Sequence, residues 1–302
     1  MKILHDAFMT IHRAKYKLDF LQNEAGRKTG LEYGFLKCCE ALEREFEGGD
    51  IVLCWEGRNN FRKQIYPDYK ANRKISANPL AKLDYKRIEE FKCFLKHPFI
   101  NAEAEGFEAD DVIASLVDHY KDDEEVIIYS NDKDMLQLIR KGVTVYKSFQ
   151  ELNKKYKWTR ETVELKYYGL VPEELPIFFA FAGDKSDNIP GVPRIRKPIL
   201  ASAIISARRV IEPGSFVYAG NLIQDILSYE LWSGAELQRI ESFIEAGYYQ
   251  RNIELILLRR PDVIIEEPTN DKEAMKKWLT ELEFRSLKIS EVVGVNLDDE
   301  EF

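Results

Sequence analysis

The chain is poor in the residues that carry most compact catalytic machinery. Its four histidines (His5, His12, His97, His119) are scattered, and no Ser-His-Asp order or HExxH helix stands out. There is no glycine-rich Walker loop and no GxGxxG fingerprint, which removes the common phosphate-cradling and dinucleotide folds. The four cysteines (Cys38, Cys39, Cys54, Cys93) lack zinc-finger spacing and two are adjacent, so packing residues in a reducing cytoplasm are expected. No run approaches the roughly 18 apolar residues of a membrane span. No opening stretch joins a basic start to a long apolar run, so no secretory signal is expected. Net positive charge is lacking too: the formal charge is −8, on its face an argument against a nucleic-acid partner.

What the chain does have is acid in clusters. Glu108-Ala-Asp110-Asp111, Asp132-Lys-Asp134 and Asp184-Lys-Ser-Asp187, with Asp6 and Glu56, give nine carboxylates at or near strand ends and helix starts. General acid–base work needs one or two. Nine suit a cage for two hard divalent cations, since Mg²⁺ takes oxygen ligands and keeps several waters. Two ions about 4 Å apart are the usual device for in-line displacement at a phosphodiester. Asp132 and Asp134, two apart in an extended segment, point the same way. Asp184 and Asp187, and likewise Glu108 and Asp111, meet if they open a helical turn. His5, beside Asp6, is assigned to packing.

Charge distribution reverses the first impression. Between Gly57 and Ile100 there are eleven Lys/Arg against four acids, a +7 island in an acidic chain and the expected footprint of phosphate binding. Lys2–His5, Ile51–Trp55, Val126–Ser130 and Val143–Tyr146 are short, largely β-branched runs, as in a buried parallel sheet. Helical stretches at Leu31–Phe46, Ala81–Lys96, Ala109–Tyr120 and Lys133–Arg140 alternate with them. This predicts an α/β core, a mostly parallel central sheet with helices on both faces, whose ligands collect beyond the strands' carboxyl ends. From about Thr159 strands disappear and helices dominate. A soft boundary near Tyr168 is expected to separate the core (1–168) from a helical region (169–290) and an acidic tail (291–302).

Four segments resemble the 5′-nuclease superfamily of polymerase I 5′→3′ exonuclease domains, phage 5′ exonucleases/RNases H and flap endonucleases. They are Ile65-Tyr-Pro-Asp-Tyr-Lys-Ala-Asn-Arg73, Phe107-Glu-Ala-Asp-Asp-Val-Ile-Ala114, Ser130-Asn-Asp-Lys-Asp-Met135 and Gly183-Asp-Lys-Ser-Asp-Asn-Ile-Pro-Gly-Val192. The likeness runs from Asp6 to about Ile205. It implies a PIN-like core, a helical arch at about 57–100 and a helix-hairpin-helix-like element at about 183–206. It also implies a 5′→3′ exonuclease or flap endonuclease working on two Mg²⁺ ions, with Mn²⁺ substituting. Asp6, Glu56, Glu108 and Asp110 would hold or orient the first ion. Asp132, Asp134, Asp184 and Asp187 would serve the second, with Asp111 supporting. Lys70 would lie against the scissile phosphate, Arg13 would reach that phosphate or the terminal nucleotide, Arg73 would stabilise charge there, and Tyr69 would stack on an unpaired base. Arg62, Lys63 and Lys74 fall in the cationic island that reads as the arch.

Three departures stand out. Glu56 replaces the family's Asp, and its longer carboxylate still reaches a metal or its water. Ala7 replaces a glycine. Pro190-Gly-Val-Pro-Arg194-Ile-Arg196-Lys197 has arginines where the family's hairpin has glycines, so contact with duplex phosphate is expected to move to Arg194, Arg196 and Lys197. Expected partners are DNA with 5′ flaps, 5′ single-stranded ends or RNA primers, and a replication polymerase or single-strand-binding protein. A cytoplasmic monomer, stand-alone and phage-like, is expected. A catalytically silent DNA-binding replication factor and a PIN-type RNA nuclease are the rival readings.

Overall fold

The computed structural model describes residues 1–73, 84–120, 125–147, 156–207 and 220–284. Lys74, the middle of the basic island and the acidic tail lie outside the described residues. In chain order the first half carries β1 (Lys2–Asp6), α1 (Ala7–Leu18), α2 (Gly30–Glu45), β2 (Asp50–Glu56), α3 (Phe61–Ile65), α4 (Tyr85–Leu95), β3 (Ile100–Ala104), α5 (Ala109–Tyr120), β4 (Val126–Tyr129) and β5 (Val143–Lys147). Then come β6 (Tyr156–Trp158), α6 (Arg160–Lys166), α7 (Leu175–Ala182), α8 (Lys197–Ser206), α9 (Gly220–Leu227), α10 (Gly234–Glu245), α11 (Tyr248–Ile256), β7 (Ile264–Glu266) and α12 (Lys272–Glu281). No helix among the described residues is long and apolar enough to cross a membrane.

The strands form one seven-stranded sheet in the order β6-β5-β4-β1-β2-β3-β7. The five inner strands are parallel, and β6 and β7 close the edges antiparallel. Period-two alternation sends Leu4, Val52, Cys54 and Ile128 to one face, where α5, α7, α8 and α11 contribute to the core. Ile3, Ile51, Leu53 and Trp55 go to the other, against residues of α1, α2, α4 and α12. From β1 the chain builds outward to β2 and β3, then returns to lay β4 and β5 on β1's other side. That reversal makes a crevice between β1 and β4 at the carboxyl ends of the strands.

Several elements differ from the sequence-based expectation. The C-terminal region supplies β7, pairing with β3 through Asn101, Ala102 and Glu103, so strands do not end near Thr159. β3 itself, Ile-Asn-Ala-Glu-Ala, lacks a β-branched run. Its buried Asn101 is tolerated because the side chain accepts from Trp55 Nε1 at 2.8 Å and donates to the carbonyls of Leu95 and Phe99. The helix expected over Lys133–Arg140 is a short 3₁₀ turn, Asp134–Leu138. Helix α1 starts where Asp6 caps it, accepting from Met9 N at 3.0 Å, and buries Ala7, Thr10, Ile11 and Ala14 at helical spacing.

Candidate active site

The crevice is a cleft of about 550 Å³ lined by Asp6, Glu56, Glu108, Asp110 and Asp132, with Lys70, Arg73, Lys133, Lys147 and His12 among its other walls. Asp6 ends β1 and Glu56 ends β2, while Glu108 and Asp110 stand at the start of α5. Ser130, at the end of β4, donates its hydroxyl to Asp6 Oδ2 at 2.9 Å and accepts from Asp132 N at 3.1 Å. Asp132 Oδ1 in turn accepts from Asp134 N at 2.9 Å. The Ser-Asn-Asp-Lys-Asp segment is thereby folded against the first acid.

Asp184 and Asp187 are held by a closed loop. Asp184 and Ile189 exchange both backbone hydrogen bonds at 2.8 Å. Gly183, at φ +74°, and Gly191 press together where the loop begins and ends; a Cβ on Gly183 would stand 2.4 Å from Gly191 N. This loop is zipped to Asp68–Arg73: Asn72 donates to Lys185 O at 2.6 Å, Asn188 donates to Asp68 O at 2.8 Å, and Lys70 N donates to Asp187 O at 2.9 Å. Lys70 sits at φ +58°, a strained position for a lysine, and aims its ammonium at Glu108, 2.6 Å away. Carboxylate oxygens of Asp134, Asp184 and Asp187 come within 4.8 Å of one another.

The electrostatics favour a cationic occupant. Burial, then the Asp132 charge, push Asp6 up to about 6 even though Met9 N and Ser130 favour its anion. Burial and neighbouring acids raise Glu56, Asp110, Asp134 and Asp187 as well. Glu108 goes the other way: burial disfavours its charge, but Lys70 and Arg62 outweigh it and hold it below the usual range. Burial opposes Lys70's charge in turn, and Glu108, Asp110 and Asp187 more than restore it. Among the described residues the carboxylates of Glu56, Asp110 and Asp134 have neither a hydrogen-bond donor nor an ion-pair partner. An all-oxygen donor set with such unmatched charge fits a hard divalent cation.

Three site expectations, for Asp111, Arg62 and Tyr69, are corrected. Asp111 turns away from the cleft: it is fully buried and takes a bidentate ion pair from Arg62 at 2.5 and 2.9 Å plus Arg259 N at 2.8 Å. Consecutive helical residues point about 100° apart, and here Asp110 lines the cleft while Asp111 does not. Arg62 is 1% exposed, with Nε on Leu255 O at 2.8 Å, and is unavailable to DNA. Tyr69 is 3% exposed and cannot stack on a base; its hydroxyl bridges Glu108 at 3.0 Å and Asp187 at 3.1 Å. Arg13 lies outside the cleft, in the groove between α1 and α2 with Cys38 and Tyr129, while the adjacent His12 lines the cleft. Arg196 is exposed, with its guanidinium on Glu236 at 2.8 and 2.5 Å and on Leu231 O, so that it links the start of α8 to α10.

The basic island is also less open than its count implies. Arg87 pairs with Glu32, Lys92 with Glu103 and Lys96 with Glu266, and α4 packs Ile88, Phe91, Phe94 and Leu95 into the core. Lys63, Arg194 and Lys197 are exposed, and Arg194 takes φ +54°, keeping the left-handed conformation that a glycine would adopt without strain. Arg73 reaches Asp187 at 2.6 Å and Lys133 reaches Asp184. His5 is core, stacked on Phe35. Residues that sequence reasoning passed over include Ser130, Asn72, Asn188, Lys133, Lys147 and Asn60, whose amide donates to Glu108 Oε1 at 2.7 Å. Ser130, Asn72, Lys133 and Asn188 lie inside the quoted motifs and were legible there; Asn60 and Lys147 carry no local signal.

A family model described as the 5′-3′ exonuclease N-terminal resolvase-like domain matches residues 1–168. A 5′-3′ exonuclease of Aquifex aeolicus is 29% identical over 292 residues, covering 95% of this chain and 94% of that protein. A 5′-3′ exonuclease of Buchnera aphidicola is 33% identical over 199 residues, covering 64% of this chain and 66% of that one. DNA polymerase I of Mycobacterium tuberculosis is 30% identical over 294 residues, 95% of this chain but only 31% of the polymerase. Among solved structures, bacteriophage T5 5′-exonuclease with divalent zinc ions bound superposes with a TM-score of 0.61 at 18% identity, covering 94% of this chain and 98% of that one. Human GEN1 in complex with Holliday junction DNA gives 0.58 at 16%, covering 94% and 68%. With the family model covering more than half its length, the chain belongs to the 5′-3′ exonuclease family.

Proposed function

We propose that this protein is a divalent-metal-dependent 5′ nuclease, a 5′→3′ exonuclease or flap endonuclease that hydrolyses phosphodiesters at 5′ ends, flaps or primers during DNA replication or repair. The observation that carries it is the convergence at one sheet edge of eight carboxylates, three of them without a donor among the described residues, with Lys70 and Arg73 reaching in among them. Asp6, Glu56, Glu108, Asp110 and Asp132 in the cleft, and Asp134, Asp184 and Asp187 beside it, would hold the ions, with Mg²⁺ as the physiological choice and Mn²⁺ as a substitute. Bound there, divalent ions polarise the phosphate and lower the pKa of their water.

The chain's own side chains do the rest. Lys70 and Arg73 offset charge at the scissile phosphate from fixed positions, because Tyr69 and the Asn72–Lys185 bond hold their backbone against the acid loop. Exposed Lys63, Arg194 and Lys197 meet the duplex backbone, which positions the enzyme without reading sequence. The family matches and the metal- and DNA-bound fold relatives support this reading.

The test is cleavage of a 5′-labelled flap duplex, with and without Mg²⁺, by the parent and by Asp134→Asn. Incision near the junction that requires the ion and is lost in the variant is the expected result. Tight flap binding without cleavage under Mg²⁺ or Mn²⁺ would replace the nuclease with a silent replication factor.

A further inference from the structure

The cleft's cations are not equivalent. Lys70 is tied to Glu108, Arg73 to Asp187 and Lys133 to Asp184. Lys147 is different. It is the last residue of β5 and lines the same cleft as Asp132 and Lys133, yet among the described residues its ammonium has no carboxylate within ion-pair distance. What it does have is a ring. Its Nζ lies 5.1 Å from the centroid of Trp158. β6 runs antiparallel to β5 with Trp158 opposite Val145, which puts the indole on Lys147's face of the sheet, one diagonal step away.

A partly buried ammonium without an ion-pair partner is costly, and the Asp132 charge and an aromatic face offset only part of that. Burial is indeed the main influence on this amine, lowering its pKa below the ordinary value. An anion arriving in the cleft would complete the arrangement. The strand order places this anion site: β5 lies beyond β4, on the side of β1 away from β2 and Glu56. Lys70 sits on the other flank, bound to Glu108 beside Glu56.

We propose that Lys147 is a substrate-binding residue that grips a non-bridging oxygen of a phosphate neighbouring the scissile one, on the β5 flank of the cleft opposite Lys70. This deepens, and rests on, the reading of the cleft as a phosphodiesterase site. The Trp158 ring, 5.1 Å from the ammonium, gives Lys147 an aromatic neighbour in the free protein, which limits the rotamer freedom left to lose on binding.

Lys147→Met keeps an unbranched side chain beside the indole and removes the charge; Lys147→Arg keeps the charge. On a 5′-flap duplex with Mg²⁺, Lys147→Met is expected to raise KM roughly ten-fold, the scale of one charge-assisted hydrogen bond to phosphate, with kcat within about two-fold. Lys147→Arg restores the parent KM. In EDTA, the slope of log binding constant against log salt falls by roughly 0.7–0.9 in Lys147→Met, one phosphate's worth. On substrates carrying a single neutral methylphosphonate at successive positions, the defect of Lys147→Met vanishes at the contacted phosphate.

Unchanged KM and unchanged salt slope would overturn the assignment. So would a fall in kcat with a shifted Mg²⁺ requirement at constant KM, which would make Lys147 a counter-charge for Asp132. If the parent binds the flap but cleaves nothing, the nuclease reading fails, and the salt slope in EDTA still decides for or against Lys147.

Discussion

Arg62 offers the sharpest test, because its sequence context and its structural position assign it opposite roles. As part of a cationic arch it would contact DNA; in the structure it is a buried strut. Its guanidinium takes both oxygens of Asp111, at 2.5 and 2.9 Å, and donates to Leu255 O at 2.8 Å. It thus ties the base of the basic segment to the first turn of α5 and to the end of α11. Arg62→Met leaves Asp111 buried with only the backbone amides of Arg259 and Glu108 for company. Breaking a buried pair from one side costs about 3–5 kcal/mol. At about 2.1 cal/mol/K per residue over 302 residues, that corresponds to a Tm lower by roughly 5–8 °C. Replacing both partners, Arg62→Met with Asp111→Leu, is expected to recover at least half of the loss, since an apolar pair of similar volume has no stranded charge. Thermal and urea unfolding in the absence of DNA are the assays. An Arg62→Met variant with the parent's Tm but weaker, less salt-dependent DNA binding would refute the strut and restore the DNA contact.

Other outcomes follow from the same geometry. The folded-state pKa of Asp6 is about 6 against an ordinary 3.8, so the metal-free fold binds this proton more tightly than the unfolded chain does. The corresponding stability, on the order of 3 kcal/mol, is present at low pH and lost as pH rises from about 4 through about 6. Mg²⁺ is therefore expected to raise Tm more at pH 7.5 than at pH 5, and Asp6→Asn to shrink that difference; a Tm indifferent to Mg²⁺ at pH 7.5 would count against the metal site. Glu56→Gln is expected to lose on the order of 10–100-fold in Mg²⁺ affinity or cleavage rate, and parental kinetics would remove Glu56 from the ligand set. Arg194, at φ +54°, is expected to gain about 0.5–1 kcal/mol on Arg194→Gly, read by urea unfolding; a loss would mean that its side chain makes a stabilising contact.

Much of this was legible in the chain. The β-branched runs at Ile51–Trp55 and Val126–Tyr129 announced inner strands, because a strand buried on both faces needs apolar side chains on both. Asp6 and Glu56 fell at strand ends, and the Gly183–Val192 segment carried its own closure in two glycines. β3 was not legible, since the bonds that make Asn101 acceptable there, to the nearby Leu95 and Phe99 carbonyls and to Trp55 of β2, exist only once the strand is docked beside β2. Neither was β7, three residues long and a strand only because β3 offers an edge.

The sequence by itself determined the inventory: an α/β sheet, acids delivered to its carboxyl edge, and a basic segment beside them. These are consequences of spacing and side-chain chemistry, which are local. Tertiary structure decided which charges remain available. Asp110 and Asp111 are neighbours in the chain, yet one meets the cleft and the other is neutralised by Arg62, because a helix turns about 100° per residue and Arg62 happens to lie behind it. Tyr69 became a brace, Arg196 a strut, and Lys147 the one described cation of the cleft without a carboxylate partner, for the same reason. A charge's role depends on its nearest counter-charge, and that distance is set only when the sheet, the loop and the helices close on one another.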